Sequence, residues 1–281
     1  MHEINWTDES FDIKLASDYH ISIQIGLDGF SFCILDTRRN KYVVYQHIPL
    51  IEGKLQFLSR KIETIFDQEE KLNTSFKSVS IIYSTNRATL IPKEYSGSPS
   101  FFKIASLTND TGRNEDIRTD NIPGSSYQLV YSYPKDIMTL LNKKYTDFKF
   151  CHKSNPLIVT AIDQCTEKKN TLLINFEKKY IRMIALKDLK IELFNSFYFK
   201  NETDFLYYTL NIWQSLQFDP ERDEILISGF VADESGYIRQ LKKYIRNVRF
   251  LKPSADFNYG NLFEKTQKHQ FVSLLNTYSC V

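Results

Sequence analysis

One order of elements is written twice along this chain, and that duplication narrows the fold more than any local motif does. In the first half, ISIQIG (21–26), GFSFCILD (29–36) and KYVVYQHI (41–48) are β-rich runs joined by turn-forming links at Asp28-Gly29 and Arg38-Arg39-Asn40. Short links of this kind predict a three-stranded antiparallel meander. KLQFLSRKIETIFDQ then places Leu55, Leu58, Ile62 and Ile65 on one helical stripe, and the strand SVSIIYS (78–84) follows. YQLVYSY (127–133) resumes strand character, Pro134 opens the helix PKDIMTLLNKKY, FKFC (148–151) is a short strand, and SNPLIVTAIDQC (154–165) is an apolar helix.

The second half runs the same way. TLLINFE, YIRMIALKD and KIELFNSFYF are three strands with tight links, TDFLYYTLNIWQSLQ carries Leu206, Leu210, Trp213 and Leu216 on one side, EILIS (224–228) is a strand, SGYIRQLKKYIRNV a helix and VRFL (248–251) a last strand. The order βββαβα is therefore used twice, a whole-chain property that chance matches to short motifs do not imitate. Between the copies' matching elements, residues 85–125 carry Pro92, Pro99, Gly112, Pro123 and Gly124, with Asn109-Asp110 and Asn114-Glu115-Asp116 among them, and read as an irregular insertion. The expected organisation is an α/β first lobe over 1–84 and 126–166, an insertion subdomain over 85–125, and a second lobe over 167–281.

The duplicated βββαβα pattern, over about residues 20 to 252, resembles the actin-like ATPase (ribonuclease H-like) superfamily. In layout it is similar to the bacterial actin homologues of pilus assembly and cell division, in which a small insertion interrupts the first lobe, and to an uncharacterised bacterial family of actin-like fold. The resemblance implies two lobes around a nucleotide cleft. In active members the first hairpin of each lobe carries an Asp-x-Gly turn, whose carboxylate helps hold the metal and whose glycine lets the backbone approach the phosphates. The matching residues here are Gln24, Ile25 and Gly26 in the first lobe and Asn175, Phe176 and Glu177 in the second. Amides replace both acids, and a large side chain stands near the second turn. Asn155-Pro156 resembles the connecting motif that usually offers an acid before proline. ILISGFVADESGYIRQL resembles the adenosine motif, keeping Gly229 and Gly236 but with Ser228 for its first glycine.

Because Mg²⁺ is held by carboxylates and phosphate oxygens, loss of these acids removes much of the drive for binding metal and nucleotide. The expectation is a non-hydrolysing pseudo-ATPase, with Gln24, Gly26, Asn175, Glu177, Gly229 and Gly236 marking a degenerate cleft, no catalytic residue, no metal and no resident cofactor. It would act as a binding or scaffold partner of another protein, and homo-oligomerisation is compatible with it. The alternative is a weak nucleotide-binding ATPase or kinase in which Glu177, Asp28 or Asp163 stands in for the missing acids.

Composition sets outer limits. With 36 Lys+Arg against 34 Asp+Glu the formal charge is +2, too little to bind nucleic acid by charge alone. Four cysteines without a CxxC pair argue for reduced thiols and a cytoplasmic setting. The chain has no apolar run of about 18 residues, and its first 20 residues lack the apolar stretch of an export signal. GxxxxGK[ST], GxSxG, HExxH and RNP-like patterns are absent from the sequence.

Other features have plain readings beside functional ones. Arg239, Lys242, Lys243 and Arg246 would form one basic helical face, either a solvated surface or a contact for an acidic partner. Cys151-His152 with Cys165 lacks the paired spacing of a zinc site, and His47 at a strand end reads as structural. Asp28-Gly29 reads as a hairpin turn. Phe101, Phe102, Tyr131 and Tyr133 are read mainly as core. Phe271, Val272, Leu274 and Leu275 are a weak candidate for an amphipathic membrane anchor.

Overall fold

The computed structural model describes residues 3–50, 55–98, 101, 112, 114–166, 168–264 and 266–280. Each half of the chain builds one mixed sheet. The first has strands β1 (Ile4–Thr7), β2 (Tyr19–Gly26), β3 (Gly29–Asp36), β4 (Lys41–Pro49), β5 (Ser78–Ser84) and β9 (Lys149–His152), in the order β1-β4-β3-β2-β5-β9. The second has β10 (Thr171–Phe176), β11 (Tyr180–Lys187), β12 (Lys190–Tyr198), β13 (Glu224–Gly229) and β14 (Asn247–Phe250), in the order β12-β11-β10-β13-β14. In both, an antiparallel meander is extended by strands that run parallel to its first strand. The duplication read from the sequence is thus a duplication of topology.

Strand composition follows from burial on both faces. All of β3 and nearly all of β2 are buried, so these runs are near-continuously apolar instead of alternating. On one face Ile21, Ile23, Ile25, Phe30 and Phe32 meet α1 (Leu58–Gln68) and α2 (Lys135–Lys144). Helix α1 buries Leu58, Ile62, Ile65 and Phe66, while Leu55 belongs to a short 3-10 turn before it. Helix α3 (Ser154–Gln164) joins the same core through Leu157, Ile158 and Ala161, together with Leu173, Ile184 and Leu226 of the second sheet. That double contact explains why Pro156, Leu157, Ile158, Thr160 and Ala161 are buried although they point to more than one side of the helix, while Asp163 near its end is exposed. The far face of the second sheet is covered by α4 (Glu202–Ser215) and α5 (Gly236–Leu241). Helix α4 buries Phe205, Thr209, Ile212 and Trp213; Trp213 lies in the core as expected, while Leu206, Leu210 and Leu216 are partly buried and pack against the same cluster.

The structure adds to or corrects the expectation at four places. The segment after β5 is not irregular throughout: β6 (Ala88–Pro92) and β7 (Glu115–Asn121) pair with β8 (Tyr127–Pro134) in a third sheet of order β6-β8-β7. Strand β8, expected in the first lobe's sheet, therefore belongs to the sheet of the insertion. Its alternation serves both bodies, since Leu129 and Tyr131 enter the main core while Val130 packs with Ile91 and Phe101. Strand β7, EDIRTDN, buries only Asp120 and so has no apolar signature. Phe102, Pro99, Asn109 and Asp110 lie outside the described residues.

Second, β1 adds an edge strand to β4, with Ile4 opposite His47 and Thr7 opposite Val44. Third, α5 ends at Leu241, where Lys242 caps it, and the chain turns into β14. Arg239, Lys242, Lys243 and Arg246 consequently do not share one helical face, and Arg246 instead pairs with Glu221 at 3.0 Å. Fourth, α6 (Val272–Leu275) and α7 (Thr277–Cys280) fold back onto the first sheet. There Phe271, Leu274 and Leu275 pack on Cys33, Leu35, Tyr42, Tyr45 and Ile82, and the Tyr42 hydroxyl donates to the Leu275 carbonyl. Buried in that way, the cluster has no apolar face left to enter a membrane. Among the described residues no helix is long and apolar enough to cross one.

Candidate interlobe cleft

Two hairpins meet where the lobes meet. Strands β2 and β3 are joined through Leu27-Asp28, with Gly26 opposite Gly29. Strands β10 and β11 are joined through Lys178-Lys179, where Glu177 N–H donates to the Tyr180 carbonyl at 2.9 Å. The tips touch: the backbone N–H of Lys178 donates to Asp28 Oδ2 at 3.1 Å. Burial raises the Asp28 pKa above its ordinary value, the negative charge of Glu177 adds to this, and the Lys178 N–H opposes it.

Behind the second tip runs a continuous chain of polar contacts. Parallel pairing sets Asn175 beside Ser228, whose hydroxyl donates to Asn175 Oδ1 at 2.9 Å. Asn175 Nδ2 donates to Glu177 Oε1 at 2.7 Å, and Lys153 Nζ reaches the same oxygen at 2.7 Å. The Lys153 ammonium also lies 5.5 Å from the centre of the Phe230 ring. Lysine and glutamate are both nearly fully buried, at 5% and 3% side-chain exposure, so each depends on the other for its charge to be tolerated.

The cleft beside this chain encloses about 1290 Å³ and is lined by Asp28, Phe176, Glu177, Lys178, Phe230 and Tyr237 among others. Its second-lobe wall is aromatic. Phe176 lies 5.1 to 6.1 Å, centre to centre, from Phe199, Phe205 and Tyr237. Gly229 has φ +82°, and a Cβ there would collide with the Phe176 carbonyl, so glycine is required by two independent constraints. Gly236 begins α5, with the Glu202 carboxylate packed against it.

On the other side of the tip contact, Arg182 of β11 crosses into the first lobe. Its guanidinium donates to the Thr85 carbonyl at 2.5 Å and to Ser154 Oγ at 3.0 Å. His152 lies beside it, its pKa held well below the ordinary histidine value by burial first and then by Arg182.

Of the residues singled out by sequence, Asn175, Glu177 and Ser228 come together, and Gly229 lies against Phe176. Gln24 is half-buried between Ser31 and Ile82 in the first sheet and does not line the cleft. Gly26 sits there too, its missing Cβ allowing close approach of Ser84. Asn155 donates to the Asn121 carbonyl at 3.3 Å, turning toward the insertion. Asp163 is exposed on α3, away from the cleft, whereas Asp28 and Glu177 line it. His47 shares a 2.7 Å hydrogen bond with Ser31, and burial, then Lys153, pushes its pKa down to about 4. Cys151 is buried beside Ile82 and Leu274, and Cys165 donates to Thr171 Oγ1 at 3.3 Å. Sequence reasoning missed Lys153, Arg182 and Phe230. Only the position of Lys153, two residues before Asn155-Pro156, offered a signal.

Two sheets of the same topology, each opening with a hairpin that points at the other across a cleft, define an actin-like ATPase fold. The solved structures agree. A Bacteroides thetaiotaomicron VPI-5482 protein with actin-like ATPase fold and unknown function matches with a TM-score of 0.76 at 24% identity, over 85% of this chain and 93% of that one. The PilM–PilN type IV pilus biogenesis complex matches with a TM-score of 0.59 at 10% identity over 92% and 97% of the two chains. The ethanolamine utilization protein EutJ of Carboxydothermus hydrogenoformans matches at 0.52 and 8%, over 94% and 90%. Within this class the chain belongs to the family described as protein of unknown function DUF3822, whose model matches residues 8–248. Among curated proteins, none matches the sequence.

Proposed function

We propose that this protein is an actin-like frame that does not turn over ATP and works by binding a protein partner. The observation that carries the reading is the buried chain Lys153–Glu177–Asn175–Ser228. A magnesium nucleotide needs carboxylate oxygens free to face hydrated metal, and room for phosphates beside the turn. Here Glu177 is already neutralised by an internal ammonium, and both ends of the Asn175 amide are used. The hairpin tips are also bonded to each other at Asp28 and Lys178. The donor set does not fit Mg·ATP.

A partner-binding role fits the aromatic wall of the open cleft, since aromatic rings are enriched where proteins meet. A relative of the same fold is described in a complex, PilM with PilN, which supports the reading by analogy of fold alone. The free thiols of Cys33, Cys151, Cys165 and Cys280 favour a reducing, cytoplasmic setting. The competing reading, a weak nucleotide-binding ATPase or kinase, rests on Asp28, a carboxylate on the cleft that accepts a hydrogen bond from the backbone amide of Lys178.

Calorimetric titration with ATP, with and without Mg²⁺, separates the two. Ligand at 100 times its Kd stabilises a protein by about 2.7 kcal/mol, so a thermal shift in millimolar Mg·ATP is a second readout. The expected result is no heat and no shift. Magnesium-dependent binding would overturn the proposal in favour of the nucleotide-binding reading.

A further inference from the structure

The hairpin contact lines a second, smaller pocket as well as the cleft. This pocket encloses about 220 Å³ between Leu27 and Leu50 of the first lobe, the segment that follows β5, and the second hairpin. An apolar cavity of about 150 Å³ holds a benzene ring, and drug-sized ligands fill about 300 Å³ or more. The space here therefore suits one ring or a short branched chain with a small polar group. A nucleoside triphosphate is too large for it.

The lining decides the charge of that group. Leu27, Leu50 and Tyr83 supply apolar surface. Arg87, Lys178 and Lys179 supply three cations against the single acid Asp28, whose Oδ2 already accepts the Lys178 N–H. Glu115 pairs with Arg87 at 2.8 Å, which leaves Lys178 and Lys179 against Asp28, a surplus of one positive charge at the hairpin tip. Asn86 Nδ2 donates to the Tyr198 hydroxyl at 2.6 Å, so that phenol keeps its own proton to donate to a ligand. An apolar floor below a rim with ammonium and phenol donors matches an organic carboxylate.

We propose that this pocket is a binding site for a small carboxylate carried on one aromatic ring or a short branched chain. It does not rest on the pseudo-ATPase reading: none of Gln24, Asn175, Glu177, Gly229 or Gly236 lines it, although Asp28 and Lys178 line both this pocket and the larger cleft. Binding of Mg·ATP to the larger cleft would overturn that reading and leave this one standing.

The test is a titration, followed by protein-observed NMR, with benzoate, 3-phenylpropionate and isovalerate, and with 3-phenylpropanamide and inorganic phosphate as controls. At least one carboxylate is expected to bind, shifting signals of Thr85, Asn86 and Lys179, with the neutral amide weaker by about tenfold or more. Lys179→Glu, at an exposed position, should weaken binding by about fivefold or more, since it reverses a charge at the rim. Leu27→Trp, also exposed, should fill the pocket and abolish binding. No binding by all three carboxylates up to about 10 mM would overturn the proposal. So would equal affinity for the amide, equally tight phosphate binding, or wild-type affinity in both variants.

Discussion

Lys153 Nζ and Glu177 Oε1 lie 2.7 Å apart with both side chains out of water, so the turn that leads into α3 in the first lobe and a hairpin of the second share one buried ion pair. Removing one member of such a pair leaves an uncompensated buried charge, at a cost of about 3–5 kcal/mol, whereas replacing both is often close to neutral. Lys153→Met should therefore lower stability by about that amount. Lys153→Met with Glu177→Gln should recover most of it. Urea unfolding of the single and double variants measures this. Additive losses would mean that the pair does not act as a unit.

The two glycines of the adenosine-like motif should behave differently. Gly229→Ala meets a positive φ and the Phe176 carbonyl, backbone against backbone, and should cost more than about 2 kcal/mol. Gly236→Ala meets only the carboxylate end of the exposed Glu202 side chain, which can swing away. It should be close to neutral, within about 0.5 kcal/mol. Thermal melts of the two variants side by side decide between them.

Asp120 supplies a pH signature. Burial raises its pKa to about 6 from 3.8, against the opposing hydrogen bonds from the His152 N–H and the Tyr131 hydroxyl. A folded-state pKa above the unfolded one means that the folded protein binds the extra proton. The contribution to stability is therefore fully present below about pH 4 and lost as pH rises through about 6. The loss is on the order of 3 kcal/mol. Asp120→Asn keeps an acceptor for the His152 N–H, turns its amide N–H toward the Tyr131 hydroxyl, which can accept, and carries no charge. It should flatten the stability profile between pH 4 and 6 and be more stable than wild type at pH 7.5, as read by urea unfolding at a series of pH values.

Restoring one acid should not restore nucleotide binding. Gln24→Asp changes a residue that does not line the cleft, and Phe176 and the Asn175 network remain as they are. Asn175→Asp/Phe176→Gly, which changes the two obstacles that remain, is the smallest change expected to admit Mg·ATP. Truncating buried Phe176 within its ring cluster costs about 3–5 kcal/mol, so circular dichroism must first show that the variant is folded. Tight Mg·ATP binding by Gln24→Asp alone would count against the role given to Phe176.

Legibility in the sequence followed burial. Strands β2, β3 and β10 are covered on both faces, so their apolar runs announced themselves, and the doubled order of elements carried the fold. Strand β7 was invisible because a polar strand at the edge of a small sheet needs only one buried residue. Helix α5 looked longer than it is because Ile245 and Val248 continue the helical spacing while serving a turn and a strand. In the site, Asn175 and Ser228 were found by motif position. Lys153 escaped because a lysine in sequence says nothing about whether a carboxylate 24 places later in the chain will fold against it.

The bond between Lys178 and Asp28 has a consequence for what kind of signal this protein can carry. Where two lobes are bridged through a phosphate, spending the phosphate loosens the bridge, and the molecule keeps time by its own chemistry. Here the bridge consists of an aspartate and a main-chain amide, both permanent parts of the polypeptide. Nothing in it is consumed, so it contains no clock. In a frame that does not turn over ATP, as proposed above, a change of state comes from outside, at the rate at which something else arrives and leaves.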